Sequence, residues 1–258
     1  MSSSHRLLPA LALVGVVVTV VAIAGGGAVL VARGDLGRTP PPVEPVVAAQ
    51  ITPAAAQPAA PKGPEGNAPV GIADRVDPAW VARVAADSGI PARALAAYAG
   101  AVLEVAETRP GCHLGWNTLA AIGHVESGHG SIDGSRLLPD GRTEPRIRGV
   151  ALDGRGVAAI RDTDGGALDG DAIWDRAVGP MQFIPSTWRS HGRDGDGDGV
   201  ADIDDIDDAA LSAAYYLCHS GRDLRVAAHW IAAVSSYNAG LAYNHRVVAA
   251  ADHYRQFH

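Results

Sequence analysis

From Leu7 to Ala32 the chain reads "LLPALALVGVVVTVVAIAGGGAVLVA", with no charged residue, directly after His5 and Arg6. As a helix this run is long enough to cross a hydrocarbon core of roughly 30 Å. Nothing downstream could surround a segment apolar on every side, so it is expected to be an export signal or a membrane anchor rather than a core helix. Ala22 and Ala24 form an A-x-A pattern that could precede cleavage, whereas continuation of the run to Ala32 favours a retained single-pass anchor over residues 1–33. Either reading exports the rest of the chain, to the outer face of the cell membrane if anchored and into the medium if cleaved. Residues 34–70 follow with "RTPPPVEPVVAAQITPAAAQPAAPKGPEGNAP", rich in Pro and Ala and without an apolar period, as expected of a disordered, semi-extended linker. Residues 71–258 are left to form one folded domain.

A formal net charge of -7 over 258 residues argues against a nucleic-acid binder, which would carry a basic face. Cys112 and Cys218 lie far apart and form no CxxC, which excludes a thiol redox motif and a tetrathiolate zinc site. One disulfide remains open to them in an oxidising compartment.

Within the domain, local signals point to helices. "DPAWVARVAADSG" offers Asp77 as N-cap, Pro78 at the first helical position and Gly89 as a stop. "IPARALAAYAGAVLEVAETRPG" is an alanine-rich helix ended by Pro110, and "GWNTLAAIGHVES" a third that stops at Gly128. Residues 129–175 are rich in Gly, Asp and Arg, and the DGRG turn in "RIRGVALDGRGVAAIRD" suggests a small hairpin. A short helix is expected at "PSTWRSHG", then an acidic loop, then helices around 207–219, 223–235 and 240–255. The expected fold class is mainly α, with one irregular insertion.

The third helix carries "AAIGHVESGHGSI", a glutamate between two histidines. Helical spacing aligns Glu126 with Ile122 and Leu119, and Gly123 leaves space beside it. A carboxyl on an apolar stripe loses hydration, its pKa rises, and it keeps a proton near neutrality, as a general acid requires. A solvated carboxylate at a fraying helix end fits the spacing equally well. His124 and His129 are five apart with Gly128 between them, so they are expected to point away from each other, unlike the pair of an HExxH zinc helix. Both are expected at the surface or in loops, with His129 the nearer to any cleft. The second motif, "AVGPMQFIPSTWRSHG", places Gly179 and Pro180 in a tight turn before Met181, Gln182 and Phe183, an amide and an apolar group suited to a sugar site. Ile184 and Trp188 are expected in the core.

Taken in order, "HVESGHG", "GPMQFIPSTW", "DGDGDGVADIDDIDDAALSAAYYLC" and "SSYNAG" resemble the lytic murein transglycosylases of the membrane-bound lytic transglycosylase B type, over nearly all of residues 72–258. The resemblance implies a lysozyme-like domain that cleaves the β-1,4 bond between N-acetylmuramic acid and N-acetylglucosamine in peptidoglycan, leaving a 1,6-anhydro end. By the same resemblance Glu126 is the acid and then the base, while Gln182, Phe183, Tyr237 and Asn238 contact substrate. One carboxyl group is enough for that chemistry, because the muramic C6 hydroxyl attacks in place of a protein nucleophile. A hydrolytic muramidase of the same fold would need a second, water-positioning carboxylate, such as Asp171 or Asp175. A wall-binding protein without turnover is the alternative from another class. The catalytic domain is expected to act as a monomer on glycan strands.

Residues 194–208 hold eight aspartates, a density that repels itself unless a cation or solvent absorbs it. Asp194, Asp196, Asp198 and Gly199 match positions 1, 3, 5 and 6 of an EF-hand loop, with the Val200 carbonyl at position 7. Position 12 falls on Asp205, short for a bidentate ligand; in the resembled family the loop can be longer, which favours Asp208. Structural Ca2+ is therefore expected, although Asp207 or Asp208 could instead cap the next helix. Cys112 precedes the glutamate helix and Cys218 ends the helix after the acidic loop, and a bridge between them is expected to tie the two together.

Overall fold

The computed structural model describes residues 61–62 and 71–258. The expected anchor at 1–33, and the linker at 34–70 apart from Pro61 and Lys62, lie outside the described residues. Among the described residues no helix is long and apolar enough to cross a membrane.

Seven α-helices are described: α1 (Pro78–Ser88), α2 (Ala92–Thr108), α3 (Trp116–Ser127), α4 (Pro185–His191), α5 (Ile206–Leu217), α6 (Ala227–Tyr237) and α7 (Leu241–Tyr254). Their ends follow local chemistry. The Asp77 carboxylate accepts from the Ala79 amide at 2.9 Å, Pro78 opens α1, and Gly89 closes it at φ 75°. Gly128, at φ 56°, closes α3. The first helical residue of α6 is Ala227, four residues later than expected, because Asp223 and Arg225 form a turn of their own.

Helix α2 is the centre of the domain. Its small residues Ala94, Ala97, Ala99 and Ala101 are wholly buried and let α1, α3 and α5 approach closely, while Leu95 and Tyr98 fill the gaps between them. Helix α3 packs on α2 on one side and on α7 on the other. Across the α3–α6 contact the buried Trp230 indole donates to Thr118 Oγ1 at 3.0 Å. Cys112 and Cys218 form a disulfide with Cα atoms 5.5 Å apart, fastening the entry to α3 to the end of α5.

The insertion differs from expectation in its pairing. Strand β1 (Arg136–Leu137) pairs antiparallel with β2 (Thr143–Glu144), and β3 (Arg148–Ala151) with β4 (Arg176–Val178). The DGRG turn makes only a single bridge, Asp153 to Ala159. The partner of β3 is thus a strand well beyond that turn, next to the GPMQF loop, and this pairing fixes the loop against the helices.

Candidate active site around Glu126

Glu126 lies in the last turn of α3, beyond Ile122 and Leu119, which are wholly buried. The carboxyl is half-buried at the seam between α3 and α7. The Tyr243 hydroxyl, from α7, donates to its Oε1 at 2.7 Å. Burial pushes the Glu126 carboxyl up to about 7, against the downward pull of the Tyr243 hydrogen bond and the Arg246 guanidinium. The group therefore exchanges its proton near neutrality, as an acid that must become a base needs to do.

The neighbouring Ser127 holds the second motif in place. Its hydroxyl donates to the Pro180 carbonyl at 2.6 Å and accepts from the Gly130 amide at 2.8 Å. The loop is a tight turn: Val178 and Phe183 exchange backbone hydrogen bonds of 2.8 and 3.0 Å, and Gly179 adopts φ 75°. A Cβ at Gly179 would collide with the Ile203 carbonyl, so only glycine allows this approach. On its other side the loop is held by Tyr237, whose hydroxyl donates to the Met181 carbonyl at 2.7 Å. Burial, then the neighbouring Glu126 charge, raise the Tyr237 hydroxyl well above its usual range, so it remains a donor.

The residues singled out in the second motif take different places. Gln182 is partly exposed at φ 50°, an unusual conformation for a residue with a side chain, and its amide donates to the Gly179 carbonyl at 3.1 Å. Phe183 is only 3% exposed, with its ring 5.4 Å from Trp188 and 5.7 Å from Tyr237, so it backs the site as part of the core. Trp188 is buried as expected, and Ile184 half-buried. Asn238 ends α6; its carbonyls accept from the Gly240 amide and the Asn244 side chain, each at 2.9 Å, which fixes the α6–α7 corner.

Two expectations about the helix are corrected. The space left by Gly123 is filled by protein: a Cβ there would collide with the Tyr98 hydroxyl. His124 and His129 do not point apart, their rings being 5.5 Å from each other. His129 is buried, with Nδ1 3.2 Å from the Tyr98 hydroxyl and Nε2 3.0 Å from that of Tyr254. Burial lowers it to about 3, so it is a neutral strut between α2, α3 and α7.

Residues 159–253 match the family model of the Transglycosylase SLT domain. The matched stretch takes in the GPMQF loop, the acidic loop, Tyr237, Asn238, Tyr243 and Arg246, and ends short of Glu126 on its N-terminal side. No curated protein and no solved structure matches the chain. Within the SLT stretch, Tyr243 and Arg246 are functional candidates that the sequence reading missed. They stand three apart on α7, beside the buried stripe of Val247, Ala251 and Tyr254, where a tyrosine reads simply as core.

The acidic loop brings Asp194, Asp196 and Asp208 together, with carboxylate oxygens all within 4.8 Å of one another. Asp208 is buried and accepts from the Gly195 and Asp202 amides, each at 2.6 Å, while burial pushes its carboxyl up to about 7. Asp205 instead caps α5, accepting from the Asp207 amide at 2.8 Å. Asp207 pairs with Arg93, bonded at 2.7 Å through one of its two contacts. The exposed Asp198 lies outside the three-carboxylate group and accepts from the Val200 amide at 2.8 Å. Hard carboxylate oxygens suit Ca2+.

Proposed function

We propose that this protein is a peptidoglycan lytic transglycosylase, with Glu126 as its single acid and base. The observation that carries this reading is a carboxyl raised to about 7 and bonded to Tyr243, next to a sugar-suited loop held by Ser127 and Tyr237. Glu126 gives its proton to the glycosidic oxygen as the C1–O bond breaks and the N-acetylglucosamine leaves. The muramic C6 hydroxyl then closes on C1 and returns its proton to the Glu126 carboxylate, so no water is consumed. Tyr243 keeps Oε1 in place through both proton transfers, and Arg246 stabilises the carboxylate formed between them. Gln182, Tyr237 and Asn238 orient the sugar, with Phe183 supporting them from behind.

The muramidase alternative needs a free second carboxylate. Asp171 is engaged by Arg176 at 2.8 Å and by the Ile173 and Trp174 amides, and Asp175 is wholly buried against Thr163. Neither is free to position water. Mass analysis of digested, purified peptidoglycan separates the two: anhydro ends are lighter than reducing ends by one water, and reducing ends alone would overturn the proposal.

Asp194, Asp196 and Asp208 form the core of the proposed Ca2+ site, to which the Val200 carbonyl and Asp198 would be added, and its role would be structural. Residues 1–33 are proposed to hold the domain at the outer face of the cell membrane through the linker, where glycan strands are its partner.

A further inference from the structure

A cavity of about 610 Å³ lies between the end of α1, α3 and α7, and Glu126, Gln182 and Tyr237 are not among its lining residues. Its lining is unusual for so acidic a chain: Arg246, His124, His129 and His253 contribute and no carboxylate does. Arg246 is exposed and makes no hydrogen bond or ion pair among the described residues. At the helix ends that face the cavity, the Ala85 carbonyl accepts from the Gly89 amide and the His124 carbonyl from the Gly128 amide. The Arg246 guanidinium is the permanent charge of this lining, beside the apolar Val125 and Ala249. Val125, in the lining, directly precedes Glu126 on α3, and Arg246 stands one turn along α7 from Tyr243, which bonds Glu126, so the cavity lies beside the proposed cleavage site.

We propose that this cavity binds the carboxylate-bearing peptide arm of the muramic acid residue, with Arg246 as its anion contact and Val125 and Ala249 receiving methyl groups. The assignment rests on the peptidoglycan reading above and adds a substrate determinant to it. A guanidinium matches a carboxylate by two parallel hydrogen bonds, and the volume takes a short peptide rather than a single ion.

The test uses the full chain in detergent, carrying Glu126→Gln so that nothing is cleaved, and compares retention on sacculi bearing intact peptides with retention on glycan strands stripped of them by an amidase. Retention on the peptide-bearing wall is expected to be about tenfold stronger, the size of one charge-assisted contact. Adding Ala249→Trp, an exposed position where a large ring fills the cavity, should erase the preference, as should Arg246→Met. Soluble stem peptide should compete, and inorganic phosphate at the same concentration should not. Equal retention on both materials, a preference that survives Ala249→Trp, or equal competition by phosphate overturns the proposal. Release of anhydro ends by the unmutated protein is scored separately: a chain that cleaves without peptide preference loses the cavity assignment alone, and one that holds peptide arms without cleaving loses the lytic reading alone.

Discussion

At the scale of single residues, the proton on Glu126 links the proposed rate to stability. In the proposed mechanism the acid form begins the reaction, so the rate should fall as pH rises through about 7. Tyr243 pulls the carboxyl down, so Tyr243→Phe should move that limb to higher pH while lowering the maximal rate by roughly tenfold or more through loss of positioning. A limb that stays in place would remove Tyr243 from the titration. The same shift has a thermodynamic sign. A carboxyl raised in the folded state contributes its stability below the unfolded value near 4.5 and loses it as pH climbs through the folded value near 7. Glu126→Gln should therefore match the parent in melting temperature at pH 4, melt higher at pH 8, and release no anhydro product at either. A variant that melts lower at pH 8 would mean that the carboxylate is stabilising, contrary to its burial.

At the scale of elements, the proposed reaction site is a joint between α3, the GPMQF loop and α7. Ser127 is its pin. Ser127→Ala would leave the Pro180 carbonyl and the Gly130 amide without their partner, a cost of about 1 to 3 kcal/mol. Melting temperature should fall by several degrees and turnover by more than the unfolded fraction explains, because the loop is released from the glutamate; Ser127→Thr should restore part of both if its methyl is accommodated. Loss of stability with unchanged turnover would make the pin structural only. The ends of these elements were legible in the sequence because caps are local: Asp77, Pro78, Gly89 and Gly128 each act within a few residues. Glu126 itself was legible as a candidate, since Leu119 and Ile122 define its face. The contacts that complete the joint were not. Tyr243 lies 117 residues from Glu126 in sequence, and His129 is buried by tyrosines of α2 and α7. No periodicity encodes such meetings, and for the same reason the DGRG turn points to a local hairpin while β3 in fact pairs with β4, well beyond it.

At the scale of the whole molecule, the acidic loop and the disulfide secure the same helix, α5, at its two ends. Cys218 closes its C-terminal end to the entry of α3, and Asp205 and Asp208 organise its N-terminal end. The bridge spans a separation of 106 residues, for which chain entropy alone gives roughly 4 to 5 kcal/mol, so reduction should lower the melting temperature markedly without changing the products. The other end has three carboxylates within 4.8 Å, which repel one another until a cation joins them. A site occupied at a hundred times its dissociation constant adds about 2.7 kcal/mol, roughly 5 to 10 °C for a domain of this size. Calcium should therefore raise the melting temperature and chelator lower it. The choice of ligand is testable in the same assay. Asp208→Asn should remove the calcium response, because Asp208 shares the cluster with Asp194 and Asp196, whereas Asp205→Asn should keep it, because asparagine still caps α5. The reverse pattern would move the last ligand to Asp205, and a melting temperature indifferent to calcium and chelator would leave the loop held by its backbone hydrogen bonds alone.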